Sequence, residues 1–362
     1  HLVSGNESKI YDYFSKNLIS WQKNFGRHDL PWQKNISPYR VWISEIMLQQ
    51  TQVKTVLPFY QRFMETYPTL KDLSKSDLDD ILKIWTGLGY YRRAEYIHKT
   101  SKIIKEKHNS IFPENYEEMV QLPGIGRSTA GAIMSIAFKK KYPILDGNVK
   151  RVIKRFFAIH DNDGNDKKLW QFSENLVPKN NNDIYTQAIM DLGATLCTKK
   201  NPTCGECPVR LKCKSHKYNL INIIPINGKK IKKKEKDLYY LMIIKNKNFI
   251  LMKKNPNNGI WANLWMPIEF SNRKGIEEFL KNSKISKNVQ HLEKFNHQLT
   301  HLKLKINIVF INIDKFSNYN EFSWKNIYDN IATSKPIFEV IQKLAEEYEN
   351  ENDTLLKTKE RT

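Results

Sequence analysis

Cysteine is nearly absent from this chain. Of 362 residues only four are cysteines, and all four fall between Cys197 and Cys213, spaced Cys197-x6-Cys204-x2-Cys207-x5-Cys213. Free cysteines used as small buried hydrophobes would be scattered rather than gathered. Two disulfides in so short a stretch suit a secreted chain, usually a small one. Structural zinc sites favour paired short spacings, whereas the uneven spacing here suits an iron–sulfur cluster. Spacing alone puts the cluster first and leaves zinc and a disulfide pair open.

Long apolar runs are missing as well. No stretch approaches the roughly 20 residues of a membrane-spanning helix. The first residues, His1 to Asn6, lack the charged-then-apolar pattern of a secretory leader. With no initiator Met, the N-terminus reads as processed or truncated. A soluble protein in a reducing, cytoplasmic setting is expected. Acidic residues are scarce, 38 against 59 lysines and arginines, which leaves a formal charge of +21 and a pI near 9.5. Such an excess points to a polyanion, with nucleic acid first. The abundance of Lys, Asn and Ile makes biased codon usage a competing source of that charge.

What is present is mostly helical. Ile10, Phe14, Leu18 and Trp21 recur at helical spacing over 9–25. Gly26 ends that helix, and a turn carrying Trp32 leads to a new start at Pro38. Over 39–64, Trp42, Ile46 and Val53 form one apolar face with Glu45 embedded in it. Glu45 is either a surface residue or a desolvated acid, whose raised pKa would suit proton donation near neutral pH. Asp77 is expected to cap a helix over Leu78–Trp85. Gly87 and Gly89 then present Tyr90 and Tyr91 beside two arginines, a plain turn or a base-stacking surface. Leu122-Pro123-Gly124-Ile125-Gly126 is a tight turn between two helices. Its exposed backbone N–H groups can hold a phosphate without reading sequence. Asp146 stands twenty residues after Gly126, where it caps a basic helix and is expected to stay anionic at low pKa. Beyond Cys213, lysines of 226–236 read as a solvated linker. The texture then turns to strand, with a hairpin around 245–248 and strict alternation over 302–310. A closing helix is expected over 336–348 and a disordered tail over 351–362.

Taken together, the helix–hairpin–helix, the later Asp146 and the four cysteines resemble the helix–hairpin–helix, iron–sulfur DNA glycosylase superfamily over about residues 9–220. The resemblance implies a mainly α catalytic region over 1–225. Within it a six-helix domain covers about 30–138, and a [4Fe–4S] lobe combines 9–29 with 139–225 on Cys197, Cys204, Cys207 and Cys213. Ser44 to Val53 and Trp85 to Tyr91 are similar to the signatures of its adenine-specific, MutY-type members. The extra α+β domain, 237–350, resembles the Nudix-like 8-oxoguanine reader of those members. Glu269 to Ser286 lacks the Glu-rich Nudix helix, so no pyrophosphatase activity is expected. Lyases of the superfamily carry a Lys where this chain has Ser128, so a monofunctional glycosylase is implied.

By the same resemblance the partner is duplex DNA holding adenine opposite 8-oxoguanine or guanine, and the enzyme is a bacterial, cytoplasmic, nucleoid-associated monomer with no membrane contact. Glu45 is implied as proton donor and Asp146 as stabiliser of the cationic sugar, with Asn148 and Ser128 lining the pocket. Gln187 is implied as the adenine contact, Trp32 and Leu48 as its apolar wall, and Gln50 as the wedge left in the base stack. Thr51, Leu88, Tyr90, Thr300 and His301 are implied on the 8-oxoguanine side. Gly124, Gly126 and Arg127 are implied at the DNA backbone. The runner-up is an endonuclease III-like or thymine-mismatch glycosylase. A reading of another class is a non-catalytic iron–sulfur DNA sensor.

Overall fold

The computed structural model describes residues 5–160, 166–226, 231–283, 289–314 and 321–359. It divides into two units, His1–Lys75 with Tyr96–Lys230, and Ser76–Glu95 with Ile231–Thr362. Among the described residues no helix is long and apolar enough to cross a membrane.

The first unit is helical. It contains α1 (Gly5–Phe25), α2 (Pro38–Leu48), α3 (Val53–Thr66) and α4 (Leu70–Ser74). The second unit holds α5 (Leu78–Trp85), and α6 (Arg92–His108) begins there and continues into the first. The first unit goes on with α7 (Tyr116–Val120), α8 (Arg127–Ile136), α9 (Gly147–Phe157), α10 (Lys167–Leu176), α11 (Asn182–Asp191) and the short α12 (Lys214–Lys217). Its local signals are the ones the sequence offers. Ser37 caps α2 by accepting from the Arg40 N–H, with Pro38 in the first turn, where its missing donor costs nothing. Phe14 and Leu18 of α1 sit in one core with Val149, Val152 and Ile153 of α9 and Tyr185 and Ile189 of α11.

The second unit is built on a mixed sheet ordered β3-β2-β1-β6-β5. Its strands are β1 (Lys234–Lys245), β2 (Phe249–Lys254), β3 (Trp265–Met266), β4 (Ile268–Phe270), β5 (Val289–Gln298), β6 (Leu302–Ile313) and β7 (Ser323–Asn326). β4 pairs with β1 and β7 with β2, while α13 (Arg273–Asn282) and α14 (Lys335–Lys359) complete the unit. The long central pair, β1 and β6, is parallel, and the other pairings are antiparallel. Leu241, Ile243, Leu251, Val309 and Ile311 form its core with Ile276 of α13.

Four expectations change. The run over 39–64 is two helices: α2 stops at Leu48, Gln50 takes a left-handed backbone (φ 55°), and Val53 opens α3 instead of continuing the face of Trp42. The expected linker over 226–236 is shorter, since β1 already pairs with β6 from Lys234, and 227–230 lie outside the described residues. The expected tail over 351–362 is helical to Lys359, with Lys247 Nζ bridging Glu351 at 2.7 Å; residues 360–362 lie outside the described part. Residues 76–95 group with the sheet rather than with the helical region. The indole Nε1 of Trp265 donates to Asp79 (3.0 Å), Asn263 Nδ2 donates to Glu95 (3.2 Å), and the buried Thr86 hydroxyl donates to the Ile331 carbonyl (3.0 Å).

Candidate active site

α2 buries Val41, Trp42, Ile43, Ser44, Ile46 and Met47, so Glu45 is a carboxylate in an apolar helix. One turn later Gln49 Nε2 donates to the Thr129 hydroxyl of α8 at 3.3 Å, joining the two helices. α8 starts at the hairpin. Gly124 stands at φ +77°, and a Cβ there would lie 2.7 Å from the Tyr96 Cβ. Both facts call for glycine. Gly126 is the N-cap residue of α8, with open space where a Cβ would go.

α8 also positions the segment that carries Asp146. The Ser128 hydroxyl accepts from the Leu145 N–H at 3.0 Å. Ser173 of α10 donates to the Ile144 carbonyl at 2.7 Å. A Cβ on Gly131 would meet the Pro143 carbonyl oxygen at 2.0 Å, so only glycine lets backbone and helix come this close. Gly131→Ala is expected to destabilise the protein by about 1–3 kcal/mol, the usual cost of overpacking, with a proportionate drop in the urea midpoint. Asp146 then caps α9, its Oδ1 accepting from Val149 N–H at 2.8 Å. Asn148 packs on the backbone of Gly193, close enough that a Cβ on Gly193 would lie 3.0 Å from the Asn148 Cβ.

The electrostatics separate the two acids. Burial, with a smaller push from the Asp146 charge, raises the Glu45 carboxyl to about 8. The residue is only half-buried by surface area and keeps some contact with water. Burial also raises Asp146, against the pull of the Val149 and Asn148 N–H groups and of Arg151 and Lys150. The expected low value is therefore not found, because dense protein walls outweigh the capping donors. Asp146 remains exposed on its open side, and that water limits the rise. With no donor or cation among the described residues stabilising its anion, Glu45 is the acid of the pair; capped and flanked by cations, Asp146 is the anion.

Trp32 is buried and packs edge-on against Tyr60, with ring centroids 5.3 Å apart. Leu48 is half-buried at the end of α2, and Gln50 and Thr51 follow in the turn. Leu88 is buried, leaving Tyr90 (48 % exposed, φ 50°) as the presented residue of its turn. Thr300 and His301 are exposed between β5 and β6. The Arg127 guanidinium lies over the Trp170 ring at 4.0 Å and hydrogen-bonds Tyr116, so it is engaged within the protein.

Two residues escaped the sequence reading. Asp191 is fully buried and accepts from Arg27 Nε (2.7 Å), the Arg27 backbone N–H (2.9 Å) and Gln187 Nε2 (3.0 Å). Its signal was its place one helical turn after Gln187. Arg27 gave none, because its partner lies 164 residues away.

The four cysteines are free thiols, which removes the disulfide alternative. They line one cavity with Arg155, Val152, Leu196, Val209 and Ile221. Burial first, and then their mutual repulsion, pushes Cys207 up to about 12, and Cys204 and Cys213 are raised as well. Among the described residues no three His, Cys, Asp or Glu side chains converge tightly enough for a single metal ion. Four thiols line one cavity beside a buried guanidinium, with Arg155 Nη1 3.5 Å from Cys197 Sγ, a donor set that suits an anionic thiolate-bound metal centre.

The hairpin before α8, the capped Asp146 and the desolvated Glu45 all lie between residues 43 and 179. Residues 43–179 match the HhH-GPD superfamily of base excision DNA repair proteins, and 239–343 match the NUDIX domain family. The chain is 44 % identical over 340 residues to the adenine DNA glycosylase of Buchnera aphidicola subsp. Baizongia pistaciae, covering 91 % of this chain and 96 % of that one. It is 41 % identical over 215 residues to the adenine DNA glycosylase of Rattus norvegicus, 56 % of this chain and 42 % of that one. A thermostable thymine-DNA glycosylase shares the fold at TM-score 0.54 and 28 % identity, over 58 % of this chain and 98 % of the other. The chain belongs to the adenine DNA glycosylase family.

Proposed function

We propose that the protein removes adenine mispaired with 8-oxoguanine or guanine in duplex DNA by hydrolysing the N-glycosidic bond. The observation that carries this is Glu45, held protonated up to about pH 8 beside the capped Asp146. The target nucleotide is flipped out of the stack at a cost of a few kcal/mol, least for a mispair. Gln50, exposed in a left-handed turn, takes the vacated space. Trp32 and Leu48 wall the base, and Gln187 meets its edge. The Glu45 carboxyl gives its proton to adenine N7. The C1′–N9 bond breaks with its electron pair going to the base. Asp146 faces the cationic sugar so formed, and Asn148 and Ser128 complete the pocket. Glu45, now a carboxylate, takes a proton from water as the water oxygen bonds to C1′. The products are adenine and an abasic site. Ser128 offers no amine for a Schiff base, which supports a monofunctional reaction.

Thr51, Tyr90, Thr300 and His301, with Leu88 beneath its turn, serve the 8-oxoguanine side. Gly124 and Gly126 present backbone N–H groups to phosphate, with Arg127 beside them. Cys197, Cys204, Cys207 and Cys213 would hold a [4Fe–4S] cluster, which supplies a cross-link for the loop from 197 to 213 and no step of the hydrolysis. Lys199, Lys200, Arg210 and Lys212 of that loop then meet DNA phosphates. Cys204→Ser is expected to lose folding or DNA binding first, checked by thermal unfolding and by fluorescence anisotropy on a mispaired duplex. Full DNA affinity in a cluster-free protein would refute that role.

The decisive assay is adenine release from an adenine:8-oxoguanine duplex, with borohydride added in parallel. Free adenine without a trapped protein–DNA adduct is expected. No release would end the enzyme assignment, and strong trapping would end the monofunctional one.

A further inference from the structure

We propose that Asp191 is the positioning residue that sets which purine this site accepts, by fixing the direction of the Gln187 side-chain amide. The proposal rests on the reading of Gln187 as the residue that meets the base, and deepens it.

Gln187 and Asp191 lie one helical turn apart on α11, on the same face. The Gln187 amide nitrogen is 3.0 Å from Asp191 Oδ1. That carboxylate is fully buried and is held on the other side by Arg27, through Nε to Oδ1 at 2.7 Å and through the backbone N–H to Oδ2 at 2.9 Å. Gly26 packs against it, where a Cβ would approach Oδ2 to 3.0 Å. A carboxylate paired with a guanidinium only accepts hydrogen bonds. The amide beside it must therefore turn its NH2 toward Asp191. Turned the other way, two acceptor oxygens would face each other in a buried site, a costly arrangement.

The consequence falls on the far side of the amide. One N–H is spent on Asp191, which leaves the Gln187 carbonyl oxygen and one N–H as an acceptor–donor pair, with no further partner for either among the described residues. Adenine presents the complement along its N6–N1 edge, with an amine that donates and a ring nitrogen that accepts. Hypoxanthine presents the same edge inverted, with O6 accepting and N1–H donating. An amide free to rotate would serve both bases by turning over, whereas one held by Asp191 serves only adenine. N7 is left to Glu45. Buried polar groups left facing their like are the means by which sites reject near-isosteres.

The test compares single-turnover release of adenine and of hypoxanthine from otherwise identical duplexes opposite 8-oxoguanine. The difference in leaving-group chemistry is common to every variant and cancels when adenine-to-hypoxanthine ratios are compared. Asp191→Asn can donate as well as accept, so it frees the amide, and its ratio is expected to fall about tenfold. Arg27→Ala loosens the turn that leads to Trp32 but leaves the Asp191–Gln187 bond, so it should slow both bases and keep the ratio. Gln187→Leu removes the reader and should also lower the ratio. If Gln187→Leu keeps the wild-type ratio, Gln187 does not meet the base, and both readings fall. If Gln187→Leu lowers the ratio and Asp191→Asn does not, the Asp191 assignment alone is overturned. An equal fall in Arg27→Ala would trace the effect to the ion pair as a whole and would also overturn it. Should Asp191→Asn not fold, the wild-type protein is read by NMR. One slowly exchanging Gln187 side-chain amide proton is expected, and a freely exchanging pair would overturn the assignment.

Discussion

Glu45→Gln is expected to slow single-turnover adenine release by about 10³-fold, within the range a positioned general acid contributes. The substitution keeps shape and hydrogen-bonding capacity but removes the proton that adenine N7 needs. Wild-type rates should fall as pH rises through about 8, where Glu45 loses its proton. Glu45→Gln should lack that limb. Wild-type stability should fall over the same pH range. The folded-state pKa lies above the ordinary carboxylate value of 4.5, so folding binds the proton more tightly. The stability this lends is complete below about pH 4.5 and is lost as pH rises through 8. Above that, the wild type carries a dehydrated charge and the variant does not. Glu45→Gln should therefore melt at a higher temperature than wild type at pH 9, by an amount equivalent to about 1 kcal/mol, and level with it at pH 4. Equal melting at both pH values, or a rate within tenfold of wild type, would remove Glu45 from the role of acid.

The features legible in the sequence are those set by neighbours in the chain. Leu78–Trp85 is a helix with Asp77 at its N-cap, as expected, although the Asp77 side chain makes no capping bond. The hairpin of 122–126 and the Asp146 cap also follow from local rules. Period-two alternation marked β6 but not its parallel pairing to β1, which depends on a crossover that no local pattern encodes. Glu45 was visible as a misfit in an apolar face, yet whether it lay on the surface or in the core depended on the partners of α2.

What stayed hidden was decided by distant contacts. Residues 76–95 read as one more part of the helical region, but Trp265, Asn263 and Ile331 draw them to the sheet. Arg127 stood at a hairpin suited to phosphate, and nothing local signalled that Trp170 would take its guanidinium. Capping donors predicted a low pKa for Asp146. Wall density, a property of the whole fold, reverses the sign. Asp191 was one polar residue on a helix until Arg27 arrived from the far end of the unit.

Asp146→Asn separates the two duties of that residue. Asn is as good an N-cap as Asp and can accept the same bond from the Val149 N–H. Stability should therefore change by no more than about 0.5 kcal/mol, whereas Asp146→Ala, which loses the cap, should lose about 1 kcal/mol. Adenine release should fall by about 10²–10³-fold in Asp146→Asn, the loss expected when one preorganised electrostatic partner of a transition state is removed. A second readout ties the two acids together. The Asp146 charge is part of what raises Glu45, after burial, so removing it should move the alkaline limb of the rate profile to lower pH without restoring an ordinary carboxylate value. A slow variant with an unmoved limb would mean that Asp146 acts on the sugar without reaching Glu45. A variant that kept wild-type rates would mean that Asp146 is a helix cap and nothing more.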